Sequence, residues 1–123
     1  MKNLIAFFEI PATDFQKSVD FYQAVFGTQL LVAECGDEKM ACFVQDGETV
    51  GAICLAPGFT PSEHGVLIHF CCDDIDKMLQ QVTAQGGKIT IPKTKIQAES
   101  KGCFAVFADP AGNHIGLYAD QQG

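Results

Sequence analysis

Glu9 lies in the apolar run FFEIPATDF and His69 in the apolar run GVLIHFCC, sixty residues apart in a chain of 123. A carboxylate and an imidazole in such surroundings form a pair suited to moving protons, the one as general base and the other as the group that orients it or returns the proton. Strand side chains alternate, so Glu9 shares a face with Phe7 and His69 shares a face with Leu67. Both titratable groups are therefore expected to enter one cavity. The alternative is a buried ion pair that stabilises the fold and does no chemistry.

Six cysteines, Cys35, Cys42, Cys54, Cys71, Cys72 and Cys103, add thiols to the inventory. No two have C-x-x-C spacing and all lie in apolar segments, which reads as reduced, mostly buried thiols rather than a disulfide framework. Cys71 and Cys72 are neighbours on a predicted strand and point to opposite faces, so they do not bridge each other. Cys54 is a candidate nucleophile, against which stands the lack of a basic sequence neighbour to activate it. His114 and Tyr118, near the end of the chain, complete the candidate ligand-facing side chains. Glu9, His69 and His114 together would give a two-histidine, one-carboxylate metal pattern, although no spacing in the sequence brings the three together.

The elements that must position these residues come from an internal repeat. Asp14 to Gly27 and Asp74 to Gly87 are equal spans, and at the same sixty-residue offset Phe15, Val19 and Tyr22 fall on Ile75, Leu79 and Val82. That i, i+4, i+7 stripe predicts two equivalent amphipathic helices, each capped by Asp or Thr at its start and stopped by Gly. An apolar strand precedes each helix and three strand-like segments follow it. In the first half these are Gln29 to Cys35, Lys39 to Gln45 and Val50 to Ala56; in the second, Lys88 to Ile91, Gly102 to Ala108 and Asn113 to Ala119. The last hairpin turns on DPAGN. The architecture expected is α+β: a single domain over 1–123, with βαβββ modules at about 1–57 and 65–120 joined by a 57–65 linker. The strands form a curved mixed sheet around a cavity, with the helices outside.

Composition narrows the partners. A net charge of −7 argues against nucleic acid and against an anionic membrane as principal partner. All eight basic residues are lysines, so bidentate arginine recognition of carboxylate or phosphate is absent. Lys88, Lys93, Lys95 and Lys101 fall in one stretch that reads as a solvated loop, the alternative being an anion clamp. No apolar run is long enough to span a bilayer. A strand-like segment follows closely on Met1, so no secretory leader is expected and the chain is read as cytoplasmic. A small sheet with one open face and apolar edges is expected to pair with a second copy as a homodimer.

The run IPATDFQKSVDFYQAVFG and the terminal DPAGNHIGLY resemble the vicinal oxygen chelate superfamily, which contains glyoxalase, bleomycin-resistance proteins and extradiol dioxygenases. The resemblance covers nearly the whole chain and is strongest to small bacterial glyoxalase-like proteins that begin with the same FFEIP wording. It implies four metal-ligand positions, which fall here on Phe7, Cys54, Leu67 and Gly116. Only Cys54 of these can ligate, and one thiol makes no site. The resemblance therefore implies a member without the usual metal centre and with no cofactor. Two functions follow from it. One is a metal-independent isomerase or lyase acting on a small carbonyl compound, with Glu9 and His69 catalytic and Phe7, Cys54, Leu67, His114, Gly116 and Tyr118 around the ligand. The other is a bleomycin-resistance type of protein that binds or sequesters a small molecule without transforming it. Glutathione-dependent glyoxalase chemistry is disfavoured by the missing ligands and the missing arginine.

Overall fold

A computed structural model describes residues 5–96 and 102–120. Ten elements follow in order: β1 (Phe8–Pro11), α1 (Phe15–Phe26), β2 (Leu31–Cys35), β3 (Glu38–Gln45), β4 (Glu48–Leu55), β5 (His69–Cys71), α2 (Ile75–Ala84), β6 (Lys88–Lys95), β7 (Cys103–Ala108) and β8 (His114–Ala119). Two βαβββ modules are thus present. Each closes its own four-stranded mixed sheet, in the order β1-β4-β3-β2 and β5-β8-β7-β6. The first strand of each module lies parallel to its last, and the remaining pairs are antiparallel.

The helices form where the repeat places them. Asp14 and Asp74 accept from the backbone N–H of Lys17 and Lys77, at 3.2 and 3.1 Å, satisfying donors that the first turn leaves without partners. Gly27 ends α1 in the left-handed conformation, with φ of 61°. In α2 the cap is Gln85 and the left-handed residue is Gly86, one position later. The apolar stripe of α1 buries Phe15, Val19, Tyr22 and Val25, and that of α2 buries Ile75, Leu79 and Val82.

The core crosses the repeat. Phe70 of β5 packs on Phe26 of α1 with ring centroids 4.5 Å apart, and on Phe8 of β1 at 5.5 Å in an edge-to-face contact. Tyr22 meets Phe43 edge-to-face at 5.9 Å. Aromatic pairs in such geometry add about 0.5–1.5 kcal/mol each beyond the area they bury. Phe8, Ile10 and Phe70 face this core, leaving Glu9 and His69 on the opposite, open sides of their sheets.

Two expectations need correction. The stretch holding Lys88, Lys93 and Lys95 is an edge strand rather than a loop. It continues through Pro92 because the edge position tolerates a residue without an N–H. Lys93 donates to Asp76 at 2.8 Å and so is no free anion ligand; Lys101 lies outside the described residues. Glu9, read as lying in a buried run, is exposed, because β1 covers only its core-facing side.

Candidate functional site

The order of strands brings chemistry to two places. On the open face of the first sheet, Glu9 lies opposite Ala52 and Pro11 lies opposite Cys54. Glu9 and Cys54 are therefore diagonal neighbours on one face. Cys54 is 4% exposed, and its thiol makes a long contact to the Ala52 carbonyl at 3.9 Å. Burial, then the Glu9 charge and hydrogen bond, push this thiol up to about 12. A thiol held protonated in this way, chiefly by burial, is a poor nucleophile at neutral pH.

On the second sheet His69 lies opposite Gly116, and its imidazole lies directly over that glycine, where any Cβ would strike Nδ1. The ring also meets Phe104 at 6.2 Å, nearly perpendicular. Through the register, the counterpart of Gly116 is Ala52 and that of Cys54 is Tyr118. Cys54 and Gly116 are thus not equivalent points of the repeat. Tyr118 donates its hydroxyl to Asp120 at 2.8 Å, the first cause of its raised pKa.

Glu9 and His69 each lie on the side of their own sheet away from the core, but among the described residues no hydrogen bond or ion pair joins them; each belongs to a different sheet. Glu9 instead lines a pocket of about 240 Å³ with His114, between β1, the start of β8 and the linker, where Phe59, Val66 and Ile68 supply apolar wall. His114 Nε2 lies 3.7 Å from Glu63, whose other oxygen is 3.3 Å from His64. Phe7 and Leu67 are 54% and 42% exposed and are not among the residues that line this pocket. Among the described residues no group of three or more His, Cys, Asp or Glu side chains is placed to hold a metal ion, so the Glu9, His69 and His114 arrangement is not assembled.

The residues that sequence reasoning missed are those that build the pocket. Asp109 is buried and accepts from the Tyr22 hydroxyl at 2.7 Å, from Asn113 Nδ2 at 3.1 Å, and from the backbone N–H of Ala111, Gly112 and Asn113. Burial and the Asp109 charge hold the Tyr22 hydroxyl well above its ordinary pKa. Asn113 passes the connection on: Nδ2 donates to the Pro11 carbonyl at 2.8 Å, and Oδ1 accepts from Ser62 N–H at 3.2 Å. One side chain thus ties the end of β1 to the linker, two walls of the pocket. The only signal was DPAGN, which reads locally as a turn.

Over residues 4–117 the sequence matches the family described as Glyoxalase/Bleomycin resistance protein/Dioxygenase superfamily. The chain belongs to that superfamily. It is 31% identical over 121 residues to the anthracycline biosynthesis protein DnrV of Streptomyces peucetius, a match covering 87% of this chain and 43% of that protein. The chain therefore spans less than half the length of that relative. Among solved structures, a glyoxylase/bleomycin resistance protein/dioxygenase domain from Frankia sp. EAN1pec superimposes with a TM-score of 0.76 at 14% identity, covering 98% of this chain and 100% of that one. The fosfomycin resistance protein FosX of Listeria monocytogenes gives 0.70 at 17%, covering 100% and 95%. At these identities the likeness is one of fold. No helix among the described residues is long and apolar enough to cross a membrane.

Proposed function

We propose that this superfamily member is an acid/base enzyme of isomerase or lyase type that binds a small carbonyl compound without a metal ion, with Glu9 taking the proton. The observation that carries the reading is the setting of Glu9. Its carboxylate is open to a ligand on an apolar face, and it lines a small pocket whose other titratable side chain is His114. Geometry favours His114 over His69 as its partner within one chain. His69, lying over Gly116, is a ligand-facing ring on the second sheet.

At about 240 Å³ the pocket is below the roughly 300–1,000 Å³ typical of drug-sized ligands, so a fully enclosed substrate is small. The likeness to an anthracycline biosynthesis protein supports a carbonyl-bearing substrate that extends from the pocket over the open sheet. Phe7, Leu31, Val44 and Leu67 are 54%, 60%, 41% and 42% exposed, and a second copy of the chain covering them is part of the same reading. A homodimer sediments at twice the 13.3 kDa chain mass; a 13.3 kDa species alone at micromolar concentration counts against it.

The test of catalysis is proton exchange. A panel of α-hydroxy ketones and 2-oxo aldehydes in deuterated buffer, followed by NMR with chelator present, is expected to exchange α-protons with wild type, and Glu9→Gln to lose at least a hundredfold in rate. Saturable binding of these compounds with no exchange would replace this reading with the non-catalytic binding protein. Activity restored only by added metal would overturn the metal-independent step.

A further inference from the structure

The linker between the modules supplies one wall of the pocket through Phe59, Val66 and Ile68, and its two ends are anchored. Phe59 N–H donates to the Ala56 carbonyl at 3.2 Å, across a turn in which Gly58 has φ of 78°, and the Ile68 carbonyl accepts from Gly116 N–H at 2.7 Å. Between these ends, among the described residues, a single hydrogen bond joins residues 60–67 to the rest of the chain: Ser62 N–H to Asn113 Oδ1 at 3.2 Å. The nearby contact of Glu63 with His114, at 3.7 Å and open to water, is too long and too screened to hold the segment. Asn113 is itself immobilised. It is buried, and its Nδ2 donates to the Pro11 carbonyl at 2.8 Å and to Asp109 at 3.1 Å, so both of its donors are used. Pro11 stands two positions beyond Glu9 on β1. One planar carboxamide therefore fixes the middle of the linker against the strand that carries Glu9.

We propose that Asn113 is a positioning residue for the ligand: through Ser62 N–H it holds the linker wall, Phe59 and Val66 above all, at a set distance from Glu9 before any ligand arrives. The proposal rests on the reading of the Glu9 pocket as the ligand's place. A segment held only at its ends samples many positions, and a ligand that had to order it would lose affinity to that ordering. A bond near its middle divides the segment into two short spans and leaves the wall in place. Ile68 does not depend on this bond, because Gly116 anchors it separately. Glu9 does not depend on it either, because Asn113 Nδ2 keeps the end of β1 whether or not Oδ1 is occupied. The bond to Ser62 is thus expected to govern how tightly a ligand is held and not how fast its proton moves.

The first test needs neither ligand nor variant. Amide hydrogen exchange of the free protein, followed by NMR, is expected to show Ser62 N–H protected at least tenfold against its unstructured rate, while Glu63 and Gly65 exchange freely. A Ser62 amide as fast as theirs would overturn the proposal, since the wall would not be held in the free chain. The second test compares Ser62→Pro, which lacks the N–H and leaves the Asn113 bonds to Pro11 and Asp109 intact, with Ser62→Ala, which keeps the N–H. Hydroxyacetone, titrated by NMR, is expected to bind Ser62→Pro with a Kd at least tenfold above that of Ser62→Ala. In the proton-exchange assay KM should rise by the same factor, with kcat of the two variants within about threefold. Equal affinities, or a fall in kcat at unchanged KM, would overturn the proposal. Phe59→Ala should weaken binding severalfold beside Ser62→Ala and add little beside Ser62→Pro; additive losses would also overturn it. If Ser62→Pro does not fold, the amide-exchange result on the unaltered chain decides whether the wall is held. Binding of hydroxyacetone without proton exchange in wild type would overturn Glu9 as base and leave the Kd comparison to decide the role of Asn113. No saturable binding to wild type would overturn the pocket as the ligand's place, and this proposal with it.

Discussion

The last hairpin of each module occupies the same place in the repeat and has opposite character. In the first module β3 turns to β4 through Asp46 and Gly47, both at positive φ of 52° and 81°, fully in solvent. That is the tight turn favoured by strand twist, and its two central residues are exposed. In the second module β7 turns to β8 through five residues, and its end positions, Asp109 and Asn113, are buried and bonded to Tyr22 and Pro11 of the other module. A repeat can thus conserve backbone while one copy gives its turn to solvent and the other uses it to fasten the halves together. The sheet floors differ in the same way. The first presents Glu9, Ala52 and Cys54; the second presents His69 folded over Gly116, with Tyr118 beyond.

The largest effect should come from breaking the fastening turn. Asp109→Ala removes the acceptor of five hydrogen bonds and strands the Tyr22 hydroxyl in the core, at a cost of about 3–5 kcal/mol. Asp46→Ala at the matching hairpin keeps a β-carbon at positive φ but removes the short polar side chain that tolerates this conformation, and costs about 1 kcal/mol or less. Urea denaturation decides between them, and equal losses would dissolve the contrast between the hairpins.

Alkali should act next, and its sign follows from which state holds the proton. Tyr22 and Cys54 both have raised pKa values in the folded chain, against 10.0 and 9.0 ordinarily, with Cys54 reaching about 12. Between the unfolded and folded values the native state binds more protons, so their contribution is full below the unfolded pKa and is lost as pH rises. For Cys54 the window is pH 9 to 12; for Tyr22 it opens at pH 10. Wild type should lose stability across this range, Cys54→Ala should lose less between pH 9 and 12, and Tyr22→Phe less above pH 10. Parallel curves for all three would remove both groups from the account.

How much of this was legible follows from the range of the forces involved. The helices were readable because Asp14, Gly27, Asp74 and the apolar stripes act within a few residues. Alternation also separates Glu9 from the core-facing Phe8 and Ile10, and His69 from the core-facing Phe70. What sequence could not supply was register and packing. Motif matching pairs Cys54 with Gly116, yet hydrogen bonding sets Ala52 opposite Glu9 and Gly116 opposite His69. The sixty-residue repeat pairs Glu9 with His69, but they sit on separate sheets whose first strands meet on the core side through Phe8 and Phe70. Asn113 looked like a turn residue because its partners, Pro11 and Ser62, are distant in sequence.

The smallest effect should come from Gly116, and its contrast with Gly51, the glycine paired with the first strand of the other sheet, separates a packed ring from a poised one. Gly51 lies opposite Phe8, whose ring covers it on the core side and is itself wedged between Phe43 and Phe70. A methyl at Gly51 must push that ring into a filled core, at about 1–3 kcal/mol. Gly116 lies under His69 in the same relation of first strand to last, but on the open face, where the imidazole can swing away into solvent. Gly116→Ala should therefore cost less than about 1 kcal/mol while displacing the ring. NMR would show the His69 imidazole resonances moving and losing their contact to Phe104, with the fold intact. If ligand binding then weakens although stability holds, His69 faces the ligand from the second sheet. If Gly116→Ala destabilises as much as Gly51→Ala, the His69 ring is packing, and the second floor is a covered surface with no part in the site.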